Sequence, residues 1–171
     1  MKLSEISVGK TFTVAEIEFI KAKSTEEGCV VVAKDSLFNS SYGDNNNFSE
    51  SKILKRLNEE ILPKIEKAVG AENVLEFKTD LTSLDGLKTY GSMKSKISLP
   101  TFDFYRDNVQ MFDEHKLDEW WWLATPDSTP EHLNDWWAVS VSPDGSINDN
   151  LLNFSYGVRP VLVFVSDISV S

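Results

Sequence analysis

The chain contains five tryptophans, which lie in two short clusters at residues 120–122 and 136–137. Neighbouring side chains in a β-strand point to opposite faces of the sheet, so a strand with adjacent tryptophans directs a ring to each face. The single cysteine, Cys29, allows no disulfide within the chain, so packed apolar side chains have to form the core. We expect each cluster to place one ring in the main core and to direct its neighbour away from it.

Length and charge restrict the class of protein. A chain of 171 residues fits one domain, residues 1–171, since domains usually have roughly 100–200 residues. The net charge of −10 disfavours nucleic acids and anionic membranes as partners, because phosphate binding depends on Lys and Arg. No run approaches the ~20 apolar residues of a membrane span, and the first residues lack a signal peptide's apolar stretch. The expected location is the cytoplasm, with a phage particle or non-classical export as alternatives.

Apolar periodicity predicts an α+β chain. Alternating and β-branched residues predict an N-terminal hairpin with strands within residues 11–23 and 28–34. A helix is predicted over residues 49–62 with Ser49 as its N-cap, and Pro63 either ends this helix or begins a second one. The other predicted elements are helices over residues 64–69 and 102–109, strands over residues 121–124, 136–141 and 158–165, a turn at residues 142–145 and a short strand near Ile147.

Three segments of the C-terminal third form a specific set. They read WWLATP at residues 121–126, WAVSV at residues 137–141 followed by Asp144 and Gly145, and YGVRPVL at residues 156–162. This set resembles a family of bacterial and phage domains of unknown function, in which a WWLRSP-like strand precedes a hairpin with an Asp-Gly turn and a closing GVRP strand. The upstream residues that fit the same family are Ser51, Ile53, Leu57 and Asn58 in a helix, and a loop at residues 82–91.

The resemblance implies a fold. The family is similar to the C-type-lectin-like fold of the formylglycine-generating sulfatase-modifying enzymes and of the variable proteins of diversity-generating retroelements. It implies paired N- and C-terminal strands, helices that flank mixed or antiparallel sheets, and ligands bound on loops in the C-terminal half. Ala124 and Thr125 stand where the family has Arg-Ser, so any role of that arginine is absent.

The residues offer little catalytic chemistry. The sulfatase-modifying enzymes need a reactive cysteine pair, which Cys29 alone does not supply. Nucleophilic catalysis by Ser or Thr needs a base within hydrogen-bond reach, and the only imidazoles are those of His115 and His132. We therefore predict that the protein is not an enzyme. An enzyme that uses His132 with a carboxylate such as Asp135 is the alternative.

No metal or cofactor is predicted. One cysteine and two separated histidines do not fit a zinc site. Asn134 and Asp135, with residues 148–150, offer oxygen ligands for calcium, but the Glu-Pro-Asn or Gln-Pro-Asp tripeptide of calcium-dependent lectins is missing. Turn formation is the simpler explanation for these Asn and Asp residues.

The remaining prediction is a binding surface built from residues 126–137 and 144–156. Aromatic rings flanked by Asn, Asp and Ser are suited to stacking on sugars or to anchoring a protein contact. The predicted ligand-binding residues are His132, Asn134, Asp135, Trp136, Asn148, Asn150, Asn153, Phe154 and Tyr156. The predicted structural residues are Trp121, Trp122, Trp137, Gly157, Arg159 and Pro160. We expect a non-enzymatic module that recognises a protein or glycan, or alternatively a structural subunit of a phage particle or secretion apparatus whose aromatic loops form oligomer contacts.

Overall fold

The computed structural model describes residues 1–171 and is α+β, with antiparallel and mixed sheets. The N-terminal strands are β1 (Thr11–Val14), β2 (Ile17–Ser24) and β3 (Cys29–Ala33). Ala15 and Glu16 join β1 to β2 with φ angles of 51° and 65°, which is the backbone of a two-residue type I′ turn. The single predicted strand across residues 11–23 is therefore two strands, because neither Ala nor Glu is a residue that signals such a turn.

Two further groups of strands complete the sheets. The strands before the tryptophans are β4 (Phe38–Ser40), β5 (Phe77–Asp80), β6 (Ser92–Ser95) and β7 (Ile97–Ser98). The C-terminal strands are β8 (Trp121–Pro126), β9 (Trp137–Val141), β10 (Ile147–Leu151), β11 (Tyr156–Val158) and β12 (Val161–Phe164). The first sheet has the order β1-β2-β3-β12-β7, the second has the order β10-β9-β8-β11-β4, and β5 pairs only with β6.

The chain ends meet beside the first sheet. The N–H of Thr13 donates to the carbonyl of Ser171 at 2.6 Å, and the N–H of Leu3 donates to the carbonyl of Ile168 at 3.0 Å. Strand β12 pairs antiparallel with β3, while β8 and β11 form a parallel pair in the second sheet.

The first helical region contains α1 (Lys52–Arg56), a π turn (Leu57–Ile61) and α2 (Leu62–Val69). Ser51, not the predicted Ser49, is the N-cap of α1, and its hydroxyl accepts from the N–H of Leu54. Pro63 is incorporated near the start of α2. The wider π turn before it accommodates a ring that would clash with the carbonyl four residues earlier in a regular α-helix. No helix of the chain has the length and apolarity needed to cross a membrane.

The predicted helix over residues 102–109 is two short helices, α3 (Phe102–Asp107) and α4 (Val109–Glu114). Phe112 of α4 packs against Trp121, while Trp122 belongs to the other apolar cluster together with residues of α1. Trp122 therefore lies in the larger core and Trp121 points away from it, as expected, but Trp121 enters the second apolar cluster rather than solvent, so both rings are buried. Apolar side chains cover both faces of β8, which is why adjacent rings are accommodated.

The GVRP segment joins the two sheets. Arg159 and Pro160 lie between β11 in the second sheet and β12 in the first. Buried Arg159 donates from Nε to the carbonyl of Ala33 at 3.1 Å and from Nη2 to the carbonyl of Lys34 at 2.7 Å. Burial lowers the pKa of Arg159 to about 10. The arginine thereby ties the second sheet to the end of β3.

Gly157 and Pro160 have steric and hydrogen-bonding roles in this crossover. Gly157 pairs with Trp121 on one side and Asn39 on the other, and a Cβ on it would collide with the side chain of Ser36. The carbonyl of Pro160 accepts from the N–H of Ala33 at 2.9 Å.

Candidate functional site

The hairpin of β9 and β10 places several of the predicted binding residues. The N–H of Gly145 donates to the carbonyl of Ser142 at 2.9 Å, which closes the predicted turn. Hydrogen bonds from Ser142 and Ser146 lower the pKa of Asp144 to about 2. Residues 148–151, predicted as part of a loop, belong to an edge strand, so only residues 152–155 form the connection to β11.

The two faces of β10 carry different side chains. Asn148 lies opposite Ser140 and Asn150 lies opposite Ala138 on one face. The Ser140 hydroxyl donates to Oδ1 of Asn150 at 2.5 Å, so this amide is held by the neighbouring strand. Asp149 points to the opposite face, where it pairs with Val139.

An aromatic stack, formed by Phe154, Tyr156 and Trp120, lies at the surface beside this hairpin. The ring centroids of Phe154 and Tyr156 are 5.6 Å apart with planes inclined by 4°, and those of Tyr156 and Trp120 are 5.6 Å apart with planes inclined by 20°. Phe154 is 46% exposed, and Tyr156 also contacts the buried ring of Trp122 at 4.7 Å between centroids. The stack therefore has one exposed ring, Phe154, and two half-buried rings, Tyr156 and Trp120, and the core supports it. Asn153 is exposed beside it.

Trp120 was not among the predicted binding residues. It precedes β8, and its carbonyl accepts from the N–H of Gly157 at 2.8 Å, which brings it next to Tyr156. The adjacent Trp121 and Trp122 are the only sequence signal for it, because the pairing of β8 with β11 is not visible in the sequence.

The segment before β9 adds a further exposed ring. Trp136 is 62% exposed, and its N–H donates to Oδ1 of Asn134 at 3.0 Å. Its carbonyl accepts from the N–H of Leu152 at 3.2 Å, which joins this segment to the connection that carries Phe154. Trp137, next in sequence, is half-buried and belongs to neither apolar cluster, so the expectation that this pair places one ring in the main core is wrong. Asn134 thus has a local structural contact, while the ring of Trp136 faces solvent.

His132 pairs with a carboxylate that the sequence did not indicate. Its Nδ1 lies 2.7 Å from Oδ2 of Asp85, so the carboxylate that contacts it is not Asp135, the residue suggested from the sequence. Ser128 donates to Asp85 at 2.6 Å, and Ser83 also donates to this carboxylate. Burial opposes ionisation of Asp85, but the hydrogen bonds from Ser128, Ser83 and His132 outweigh it and lower its pKa to about 2.

Asn46 fixes the segment that carries His132 and Trp136. This buried side chain donates from Nδ2 to the carbonyls of Ser128 and Trp137, each at 2.9 Å. Its Oδ1 accepts from the hydroxyl of Tyr90 at 2.7 Å. Residues 128–137 are therefore held at both ends by the side chain of one buried residue.

The carboxyl groups of Asp127 and Asp149 lie close together on the face of the β9–β10 hairpin opposite to Asn148 and Asn150. Asp127 extends β8, and its N–H donates to the carbonyl of Trp137 at 3.2 Å. Burial raises the pKa of Asp127, and the neighbouring Asp149 carboxyl raises it further, to about 6. No cation of the chain is paired with either group. This pair of acids is a local concentration of negative charge.

Removing one member of this pair is expected to stabilise the fold at neutral pH. The pKa of Asp127 is raised in the folded protein above its ordinary value of 3.8. The protonated carboxyl of Asp127 therefore contributes stability that is complete below pH 3.8 and is lost as pH rises through about 6. We expect Asp149→Asn to raise Tm at about pH 8 and to leave it nearly unchanged at about pH 4. Thermal unfolding of this variant and of Glu59→Gln, an exposed control, measures the effect, and an equal shift at both pH values would contradict it.

Other parts of the structure offer less distinct sites. A cavity of about 360 Å³ lies between β5, α3 and β12, and none of the predicted binding residues lines it. Its lining combines the apolar Phe104 and Val161 with charged groups of both signs, including Lys78 and Asp103. No group of three or more His, Cys, Asp or Glu side chains is arranged to hold a metal ion.

Comparison of the chain with models of protein families, with curated proteins and with solved structures found no match.

Proposed function

We propose that the protein is a non-enzymatic binding module that recognises a protein or a glycan through residues 126–137 and 144–156. The observation that carries this proposal is the aromatic stack, whose Phe154 ring is exposed, together with the exposed ring of Trp136 on the segment bonded to the same connection. Flat aromatic faces contribute large contact area with few rotatable bonds, and they stack on sugar rings or fill pockets of a protein partner.

The surroundings of the stack support recognition of a polar ligand. Asn148, Asn150 and Asn153 lie on β10 and in the connection that follows it. Oδ1 of Asn150 accepts from Ser140 and Nδ2 of Asn148 donates to the carbonyl of Ser146, and the other amide atoms supply donors and acceptors for a ligand. Tyr156 rests on the buried Trp122, so its ring is oriented before a ligand arrives. Pre-organised rings lose less conformational entropy on binding, which favours affinity. The charge of −10 favours protein and glycan ligands over nucleic acids.

We also propose that the architecture is C-type-lectin-like. The proximity of the chain ends, the helices beside mixed sheets and the crossover at Arg159 and Pro160 are compatible with that fold. The binding residues lie in the C-terminal half, which is where this fold carries its ligands. Fold alone does not give function, so the surface rather than the architecture is the basis of the proposal.

The contacts of the hydroxyl and thiol groups support a non-enzymatic role. Ser128 and Ser83 donate to Asp85 rather than to the imidazole of His132, so neither serine is arranged as a nucleophile activated by this base. Cys29 is buried in β3, with sulfur contacts to serine hydroxyls.

The proposal is tested on an array of glycans and cell-surface proteins. We expect the wild-type protein to bind a restricted set of array members, and Trp136→Ala and Phe154→Ala each to weaken that binding by about tenfold or more, as for central aromatic contacts. Val109→Ala removes an exposed apolar side chain from α4 and is the control for an apolar substitution outside the proposed surface. Circular dichroism and Tm of each variant establish that it is folded. Unchanged binding by both folded tryptophan and phenylalanine variants would contradict the proposal.

A structural role in an assembly is the second candidate, because the same region exposes Leu133, Trp136, Leu151 and Phe154. Exposed apolar patches often mark contacts between subunits. Size-exclusion chromatography with light scattering distinguishes the two candidates. A concentration-independent oligomer that dissociates in the Phe154→Ala variant favours assembly, whereas a monomer favours ligand binding.

A further inference from the structure

Strand β10 forms a free edge of the second sheet. The N–H of Leu152 donates to the carbonyl of Trp136, and the N–H of Ser142 donates to the carbonyl of Ser146. The backbone N–H and C=O groups of the even-numbered residues of β10 therefore point toward β9. Hydrogen-bonding groups alternate sides along an antiparallel strand. The N–H groups of Ile147, Asp149 and Leu151 therefore point away from the sheet, with the carbonyls of Ile147 and Asp149.

Side chains along this edge have a defined pattern. Ile147, Asp149 and Leu151 project to one face of the sheet, which gives the sequence apolar, acidic, apolar at successive positions. Leu151 and Asp149 are exposed, and Ile147 is half-buried. A strand added at this edge would place alternate side chains directly opposite these three residues.

The charge at the centre of the edge lacks a counterion. Asp149 lies beside Asp127 across β9, and neither carboxylate forms an ion pair within the chain. A cationic side chain opposite Asp149 would lie on the side of Asp149 away from Asp127 and would gain an attraction to the Asp149 carboxylate. A neutral side chain at that position would gain no such attraction, and an acidic one would be repelled. Charge complementarity therefore selects a basic residue.

We propose that the free edge of β10 is a strand-addition site for an extended segment of a partner protein that carries a Lys or Arg opposite Asp149 and apolar residues two positions to each side. This mode of recognition uses main-chain hydrogen bonds for affinity and alternate side chains for specificity. The proposal rests on the proposed function in its protein-ligand form and identifies the class of partner. The aromatic stack and Trp136 flank the same hairpin.

A protective role for Asp149 makes a different prediction. Charged residues on edge strands prevent self-association in many proteins. If protection were the sole role, Asp149→Asn would increase self-association and would have no effect on the binding of a basic strand.

The test uses a fluorescent heptapeptide with Val at its second and sixth positions, Lys at its fourth and Thr elsewhere. We expect fluorescence anisotropy to detect binding to the wild-type protein, and Asp149→Asn to weaken it about tenfold through loss of the charge contact. Glu59→Gln removes an equal charge from the distant π turn and should leave the affinity unchanged. A peptide with Glu in place of Lys should not bind.

N-methylation of the peptide separates strand addition from attraction between charges. In the expected register the N–H of the peptide lysine faces β10, while the N–H of the preceding threonine faces solvent. Methylation of the backbone nitrogen of the peptide lysine should abolish binding. Methylation of the backbone nitrogen of the preceding threonine should have little effect. Equal effects of the two methyl groups, equal binding by the Lys and Glu peptides, or no binding of the Lys peptide would overturn the proposal.

The two proposals fail separately. Array binding that depends on Trp136 and Phe154, with no binding of the Lys peptide, would overturn the strand-addition site and leave the proposed function intact. Peptide binding that survives in a protein whose array binding is insensitive to those two rings would overturn the aromatic surface and leave the free edge as the site.

Discussion

Arg159→Ala is expected to destabilise the fold by about 3–5 kcal/mol, because each buried carbonyl that loses its donor costs about 1–3 kcal/mol and the cavity adds to this loss. The guanidinium is fully buried and bonds the carbonyls of Ala33 and Lys34. It also lies 4.7 Å from the ring centroid of Trp121 and 5.2 Å from that of Phe112. Alanine would leave two carbonyls without donors and a cavity beneath two rings. Urea unfolding followed by tryptophan fluorescence measures the change.

Arg106→Ala is the control for this variant. Arg106 is exposed on α3 and forms an i,i+3 ion pair with Asp103 at 2.9 Å. Exposed pairs of this kind contribute about 0.2–1 kcal/mol, so its loss should be small. Similar losses of stability in Arg159→Ala and Arg106→Ala would contradict the role assigned to Arg159 in the segment that joins the two sheets.

Trp122→Ala is expected to cost about 3–5 kcal/mol, the usual range for truncating a buried tryptophan. The ring is completely buried, contacts Tyr42 at 5.2 Å between centroids, and donates from Nε1 to the carbonyl of Ser40 at 2.9 Å. Truncation therefore creates a cavity and leaves a carbonyl of β4 without its donor. It also removes the support under Tyr156, so the aromatic stack should lose order together with stability.

The comparison for Trp122→Ala is Trp136→Ala, which removes the same side chain from an exposed position. Surface substitutions of this kind usually change stability by no more than about 0.5 kcal/mol. Unfolding midpoints in urea therefore separate the tryptophan that supports the surface from the one that forms part of it. Equal losses in the two variants would contradict the placement of Trp136 at the surface.

The sequence predicts the helical region well but not its first residue. Apolar spacing over residues 53–62 gives the correct face, since Ile53, Leu57 and Ile61 are buried. Ser49 and Ser51 are equally good N-caps by residue type. A tertiary contact decides between them, because the N–H of Lys52 donates to the carbonyl of Tyr42 at 3.0 Å and sets the start of the helix.

The candidate site is predictable only where its residues are close in sequence. Residues 148–156 attract notice as a mixture of amides and aromatic rings, although the sequence does not reveal that the first of them form a strand. Asp85 precedes its partner His132 by 47 positions, and Asn46 lies still further from the carbonyls it holds. Such contacts depend on how the sheets assemble, and local patterns of one sequence do not specify that.

Binding of the double variant Trp136→Ala/Phe154→Ala to the glycan and protein array, next to the double control Val8→Ala/Val109→Ala, tests the exposed aromatic surface most directly. Each pair removes two exposed apolar side chains, so a loss of binding caused by exposed apolar substitution in general would appear in both variants. We predict that the control retains every array signal of the wild type and that the aromatic variant, folded by circular dichroism, loses them. Retention of the same signals by the folded aromatic variant would contradict the account.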